Sequence, residues 1–414
     1  MGRFAVEVNR SPALWIYRAT WESVLILANA LAGLKLFPRW RLTERLGRKW
    51  KSPSGQPAIW MHAASLGECK GLWALAQSLQ DLPVSFVLTA NTTAGLEFLS
   101  RQIKSSKKPH RWQATLAPFD HPRIVQRFLD YFQIKTLLLF EVELWPNFIL
   151  NSRKNAIPVL WVSARLTPKA RLRYVKFPGA MRFVLGALEW VQAQSEEEAD
   201  VLRHWGCKSV EVGADLRGLH YPNTLAPVTE TQNWNQREGI AFLSLHGSEI
   251  PHLISALESE GKDSSIFVFP RKLEELTRFQ NALEPLGFAL HSIHPKSRLL
   301  IVDSFGKVGE FLKCCHTAVI GGSFAPRGGH NLWEPLTAGV AMIVGPRHWN
   351  QDYLVHKLVV SGLLKISNTP LNGETLRKLE IDPGSVCRDF IENEKTLLYG
   401  AVNQIRARLL LYYP

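Results

Sequence analysis

The sequence predicts an α/β protein built from two doubly wound parallel sheets in tandem, and three observations predict it. At 414 residues the chain exceeds what one hydrophobic core ordinarily supports. Short apolar runs alternate with longer amphipathic stretches in two separate series, as strands and helices do in parallel α/β layers. Between the series lies a stretch, 221–237, with Pro222, Pro227, several Asn and Thr, and no periodicity. Each series implies a Rossmann-like domain. Two such domains are expected to face each other across a cleft, because ligands of open α/β sheets bind outside the carboxyl ends of the strands.

In the first series, 58–62 reads as a strand, 68–79 as a helix, 84–89 as a strand and 93–101 as a helix, with buried strands at 136–140 and 159–162. In the second, strands are expected at 241–245, 266–269, 299–302, 318–320 and 341–344. The expected division is a helical segment at 1–52, a first Rossmann-like domain at 53–220, a linker at 221–237, a second Rossmann-like domain at 238–394 and a helix crossing back at 395–414.

Hydrophobic residues at 46% and charged residues at 21% fit a globular enzyme and exclude a disordered chain. The five cysteines form no CxxC pair and no spacing with His suited to zinc, which points to a reducing compartment. The formal charge of +13 is uneven: the first 51 residues hold ten Lys/Arg against Glu7, Glu22 and Glu44. These charges flank apolar sequence at 14–17 and 24–36. The second stretch is too short to span a bilayer and reads as a helix lying on an anionic membrane surface. A nucleic-acid partner is not expected, since no helix-turn-helix, RNP or zinc-finger pattern appears.

Four blocks carry candidate chemistry. The first runs Gly321-Gly322-Ser323-Phe324-Ala325-Pro326-Arg327-Gly328-Gly329-His330-Asn331-Leu332-Trp333-Glu334-Pro335. After a strand and before a helix, its glycines let backbone N–H groups approach an anion at a helix N-terminus. Glu334 is placed to accept from ribose hydroxyls, although Asn331-x-x-Glu334 is also a capping-box spacing. In the second block, His62-Ala63-Ala64-Ser65-Leu66-Gly67-Glu68, a carboxylate follows a strand on a turn at the sheet edge, where a general base reaches a hydroxyl. Ser65-x-x-Glu68 is again a capping-box spacing.

The third block is Phe140-Glu141-Val142-Glu143-Leu144-Trp145-Pro146-Asn147, whose two acids point the same way if the strand continues. They orient acceptor hydroxyls or the catalytic region, or else are helix-start acids near a dipole. The fourth is the basic run Arg165, Lys169, Arg171, Arg173 and Lys176, either an attractor for phosphate groups or a solvated face.

Over roughly residues 10–365, these blocks together resemble the Kdo (3-deoxy-D-manno-octulosonic acid) transferases, glycosyltransferases of the GT-B type. The first block with Gly345-Pro346 and Asn350 is similar to their donor signature, and the second and third are similar to His-Ala-x-Ser-x-Gly-Glu and Glu-x-Glu-Leu-Trp-Pro-Asn. Thr89-Ala90-Asn91-Thr92-Thr93-Ala94-Gly95 also fits the family.

The resemblance implies Glu68 as general base with Glu141 and Glu143 as further catalytic acids. It implies acceptor contacts at Ser65, Gly67, Asn91, Thr92 and Arg165. Donor contacts are implied at His246, Glu249, Pro270, Arg271, Gly322, Ser323, Arg327, Gly328, Gly329, His330, Asn331 and Glu334. The reaction implied is inverting transfer of Kdo from CMP-Kdo to a lipid A precursor at the cytoplasmic face of the inner membrane, with no metal and no cofactor beyond the donor. The alternatives are another nucleotide sugar, or a silent scaffold in lipopolysaccharide assembly.

The chain departs from the family at Ser244-Leu245-His246-Gly247-Ser248-Glu249, at Lys272 after Pro270-Arg271, at Gly213-Ala214-Asp215-Leu216-Arg217 and at Gly306-Lys307-Val308. At the third of these the family has Gly-Asn-Leu-Lys.

Overall fold

The structure, a computed structural model, describes residues 11–33, 41–50, 55–221, 237–259, 264–304, 306–368, 371–376 and 383–413. Most of the expected linker (222–236) and the basic residues Lys35, Arg39 and Lys51 lie outside that set. The chain forms two compact units, one of residues 1–220 with 396–414 and one of residues 221–395.

The first unit opens with two helices, α1 (Pro12–Gly33) and α2 (Leu42–Arg45). Its seven strands are β1 (Ala58–Ala63), β2 (Ser85–Ala90), β3 (Trp112–Leu116), β4 (Ile134–Phe140), β5 (Val159–Ala164), β6 (Trp190–Ala193) and β7 (Val210–Val212). Their order is β3-β2-β1-β4-β5-β6-β7 and every pairing is parallel. Strands β1, β2 and β5 are buried at every position, because helices cover both faces of such a sheet and select unbroken apolar runs. These include α3 (Leu66–Ser78), α4 (Thr93–Ser105), α5 (Pro122–Tyr131), α6 (Pro146–Lys154), α7 (Pro168–Lys176), α8 (Pro178–Leu185) and α9 (Glu196–His204). Trp60, Phe128, Phe148 and Trp161, all under 2% exposed, lie in this unit's core.

The second unit repeats the plan. Its strands are β8 (Gly239–Leu245), β9 (Ser265–Pro270), β10 (Ala289–Leu290), β11 (Leu299–Ile301), β12 (Cys315–Ile320), β13 (Ala341–Val344) and β14 (Leu364–Ile366). The order is β10-β11-β9-β8-β12-β13-β14, again all parallel. Among its helices are α10 (Ile250–Ser259), α11 (Leu276–Leu283), α12 (Val308–Leu312), α13 (Trp333–Thr337), α14 (Asp352–Val360) and α15 (Gly373–Leu376).

Two doubly wound parallel sheets are the predicted class. In each, strand order reverses in the middle of the sheet, between β1 and β4 in the first unit and between β8 and β12 in the second. Such a switch point leaves a crevice at the strands' carboxyl ends, where ligands of this architecture bind.

The last helix, α16 (Pro383–Leu410), starts earlier than the expected 395 and belongs to both units. In the second unit, Glu394 accepts from Tyr353 Oη at 3.2 Å and pairs with Lys357 at 2.5 Å. In the first, Gln192 donates to the Ala401 carbonyl at 2.9 Å, Arg408 pairs with Glu211 at 2.6 Å, and Tyr413 Oη lies 3.0 Å from Thr136 Oγ1.

Candidate functional site

Both switch points carry the side chains that the sequence singled out. In the first unit, β1 ends at Ala63 and the chain turns through Ser65 into α3. Ser65 caps that helix in a full capping box: the Glu68 amide donates to Ser65 Oγ at 3.4 Å, and Glu68 Oε2 accepts from the Ala64 and Ser65 amides at 2.7 and 3.2 Å. Both return bonds fall on Oε2, so Oε1 takes no part in the cap. Burial raises the Glu68 carboxyl and the neighbouring Glu141 and Glu143 raise it further. The two amide bonds oppose them, and the balance is about 7. A carboxyl balanced near neutrality suits proton abstraction at physiological pH. Gly67 is exposed on the first turn of α3.

The expectation that Glu141 and Glu143 point the same way is corrected. Strand β4 stops at Phe140, and Glu141 has φ 58°, a left-handed conformation that breaks the alternation. Glu141, fully buried, pairs with Arg165 at 3.0 Å and has Oε1 3.3 Å from Arg217 Nε. Glu143 Oε2 instead accepts from Trp145 Nε1 at 2.7 Å and Asn91 Nδ2 at 2.9 Å, and lies 3.2 Å from His62 Nε2. Burial works against its charge, but the bonds from His62, Trp145 and Asn91 win and hold Glu143 below the ordinary carboxylate range.

His62, fully buried, is held at both ring nitrogens: Nδ1 lies 2.9 Å from Thr89 Oγ1, which accepts from Trp60 Nε1 at 2.8 Å, and Nε2 faces Glu143. Thr92 is the exposed N-cap of α4, accepting from the Gly95 amide at 3.2 Å.

Arg165 corrects another expectation. It is 9% exposed and tied to Glu141, so it stands apart from any solvated basic face; Arg171, in turn, is paired with Glu198. Sequence reasoning treated Asp215 and Arg217 only as departures from a pattern and missed them as site residues. Arg217 donates to Asp215 from Nε at 2.9 Å and from its terminal nitrogen at 2.6 Å. Burial opposes the Arg217 charge, but Asp215 and Glu141 outweigh it and the guanidinium stays protonated. The available signal was the Asp-x-Arg spacing immediately after a strand.

In the second unit, β8 leads to His246 and a one-turn 3-10 segment, Gly247–Glu249, while β12 leads to the glycine-rich loop. The picture of that loop as an open anion cradle is corrected. Glu249, 1% exposed, accepts from the amides of His246 (2.9 Å), Gly322 (2.8 Å), Phe324 (3.1 Å) and Ala325 (3.1 Å). An internal carboxylate thus fills the first part of the cradle. Ser323 is also buried: Oγ donates to the Ile320 carbonyl at 2.5 Å and accepts from the Gly345 amide at 2.8 Å, joining the ends of β12 and β13. Gly322, at φ 72°, passes against the His330 ring, and a Cβ there would meet Nε2 at 2.8 Å. Gly328 packs on Trp349 and Asn350, and Gly329 donates to the Gly322 carbonyl at 2.9 Å. These residues shape the loop.

The helix after the loop is the five-residue α13, capped at Leu332 without a side-chain bond. A helix that short supplies little macrodipole. The alternative capping box is absent too. Asn331 Oδ1 accepts from the Trp333 amide at 3.0 Å, its Nδ2 donates to Tyr221 Oη at 2.8 Å, and Glu334 is half-buried.

What remains for a ligand are side chains. His246 Nε2 and His330 Nε2 are 2.9 Å apart. Burial, then the charges of Arg271 and Arg327, hold His330 down at about 3, and burial first lowers His246 as well. At neutral pH both imidazoles are uncharged, one donating to the other. Arg271 and Arg327, exposed and both felt by this pair, supply the positive charge that a phosphate requires. Pro270 ends β9, buried beside Arg271.

A family model described as "3-Deoxy-D-manno-octulosonic-acid transferase (kdotransferase)" matches residues 40–218. The 3-deoxy-D-manno-octulosonic acid transferase of Bordetella pertussis is 27% identical over 359 residues, covering 78% of this chain and 82% of its own. The enzyme of the same name from Haemophilus influenzae is 26% identical over 359 residues, covering 80% and 81%. The chain is similar to the Kdo transferases. The matches carry the likeness beyond the first unit, and the glycosyltransferase assignment applies to the chain as a whole. Among solved structures, the UDP-GlcNAc 2-epimerase of Neisseria meningitidis bound to UDP-GlcNAc superposes with a TM-score of 0.55 at 12% identity, covering 86% of this chain and 99% of that one. That likeness concerns the GT-B fold alone.

Proposed function

We propose that this protein is a Kdo transferase and transfers Kdo from CMP-Kdo to a hydroxyl of a lipid A precursor, with inversion and without a metal. The observation that carries the reading is Glu68: a carboxylate fixed by a helix cap through one oxygen, at a sheet switch point, with a proton affinity balanced near neutrality. In this reading Glu68 takes the proton of the attacking hydroxyl, the oxygen bonds to the anomeric carbon, and the bond to the CMP phosphate oxygen breaks. Arg271 and Arg327 stabilise the phosphate charge that appears on the leaving CMP. Asn91, Glu143 and His62 form the rigid wall beside the acceptor.

Membrane attachment belongs to the same proposal. Helix α1 fixes one face to the first unit: Tyr17 Oη donates to Asp120 at 2.6 Å, Arg18 to Asn147 at 3.3 Å, and Glu22 pairs with His121 at 3.0 Å. Its other face leaves Trp15 66%, Ile16 57%, Ile26 70% and Leu27 60% exposed. Among the described residues no helix is long and apolar enough to cross a membrane. An apolar stripe of this size suits an anionic lipid surface, the inner membrane at its cytoplasmic face in this reading.

The test is mass analysis of products after incubating the full chain with lipid A precursor and, separately, CMP-Kdo, UDP-sugars and GDP-sugars. A mass gain of one or more Kdo units with CMP-Kdo alone is expected. Transfer from a UDP- or GDP-sugar instead, or from none, would overturn the donor assignment.

A further inference from the structure

Glu68 lies near other carboxylates, and Glu141 and Glu143 both act on it. From β1 comes His62, from the end of β4 Glu141 and Glu143, from β5 Arg165, from the segment after β7 Asp215 and Arg217, and from its own helix Cys69 and Lys70. Three carboxylates therefore face two guanidinium groups. The segment 215–217 is pressed onto α3 one turn beyond Glu68, at Gly71. A Cβ on Gly71 would meet the Arg217 Cα at 3.0 Å and the Leu216 carbonyl oxygen at 3.1 Å, so a side chain there would have to push the segment away by a few tenths of an ångström.

Within this cluster, charges alternate along a chain: Arg165 to Glu141 at 3.0 Å, Glu141 to Arg217 at 3.3 Å, Arg217 to Asp215 at 2.6 Å. Asp215 is fully buried and takes the well-aligned hydrogen bonds of the Arg217 guanidinium. Glu141 Oε1, also buried, is left near Arg217 Nε without an aligned bond. Asp215 and Glu141 thus compete for one cation.

We propose that Asp215 and Arg217 are positioning residues that set how strongly Glu68 holds its proton, by fixing how much of the Glu141 charge is neutralised. This rests on reading Glu68 as the base, but its consequence concerns only the Glu68 carboxyl. Removing the Arg217 charge leaves Glu141 with Arg165 as its one ion-pair partner in the cluster, exposes Glu68 to more of the Glu141 charge and raises the Glu68 pKa. Removing the Asp215 charge frees Arg217 for Glu141 and lowers it. The two halves of one ion pair act with opposite signs, which a merely structural pair would not do.

The experiment is a carboxyl-carbon NMR titration of the full-length chain labelled at glutamate, with the Glu68 signal assigned by its loss in Glu68→Gln. Arg217→Gln is expected to raise the Glu68 midpoint by about one pH unit, and Asp215→Asn to lower it by about as much. Arg217→Lys, which keeps the charge, is expected to restore most of the parent value. In a working enzyme the acid limb of kcat/KM moves with the midpoint. Midpoints unmoved in both variants, moved in the same direction, or moved as far by Arg217→Lys as by Arg217→Gln would each overturn the proposal. The titration reads the carboxyl whether or not sugar is transferred, so a wild-type chain inactive with every donor would count against the transferase reading alone.

Discussion

Only one oxygen of Glu68 serves the helix cap, so glutamine at that position keeps an acceptor for the Ala64 and Ser65 amides while removing the charge. The charge itself opposes folding. Because the folded pKa of Glu68 is raised to about 7, the stability this group contributes is fully present below the ordinary glutamate value and is lost as pH rises through about 7. Glu68→Gln is therefore expected to be more stable than the parent at about pH 8, by about 1–3 kcal/mol, with the difference vanishing near about pH 4. Denaturant melts at the two pH values check this; equal stability at both would show that the carboxyl is not raised. With Glu68 as the proposed base, activity is expected to respond in the opposite sense and to rise as pH passes through about 7, where the carboxylate becomes free.

The capping-box reading of positions 65 and 68 was legible in the Ser-x-x-Glu spacing, and the structure contains the box. The roles of Asp215 and Arg217 were not legible, since nothing in a sequence says that Gly71 brings their segment onto α3. Glu249 was legible as a residue but not in its use. Its four amide partners lie on His246 and on a loop more than seventy residues away, and only the fold makes its carboxylate internal.

At the scale of elements, periodicity located the buried central strands well: β13 matches its expected bounds, and β1, β5, β8 and β9 extend them slightly. Strands β3, β6, β7, β10 and β14 carried no comparable signal, being short, partly exposed or without a long apolar run. Helix α1 was read from its apolar and basic residues, while its docking was invisible. The contacts through Tyr17, Arg18 and Glu22 span about a hundred residues and leave a separate apolar face outward. That separation makes the lipid surface testable without unfolding the helix. Ile26→Ser with Leu27→Ser is expected to weaken co-sedimentation with anionic vesicles by at least about tenfold, since two large apolar side chains contribute about 1.5–3 kcal/mol each when fully buried. Undiminished binding would place the membrane contact elsewhere.

For the whole molecule, the fold class followed from the doubled β-α alternation, and each sheet places its candidate residues at a reversal of strand order. The likeness to Kdo transferases over 78% of the chain supports the class of chemistry, while the donor and acceptor rest on the proposal above. That proposal assigns proton abstraction to a single carboxylate, and the direct test is the turnover number of Glu68→Gln beside the parent, with lipid A precursor and CMP-Kdo at saturation. The parent is expected to transfer Kdo and the variant, folded by its circular dichroism, to lose a factor of about a hundred or more in kcat. A variant that turns over like the parent would contradict the assignment of Glu68 as the base.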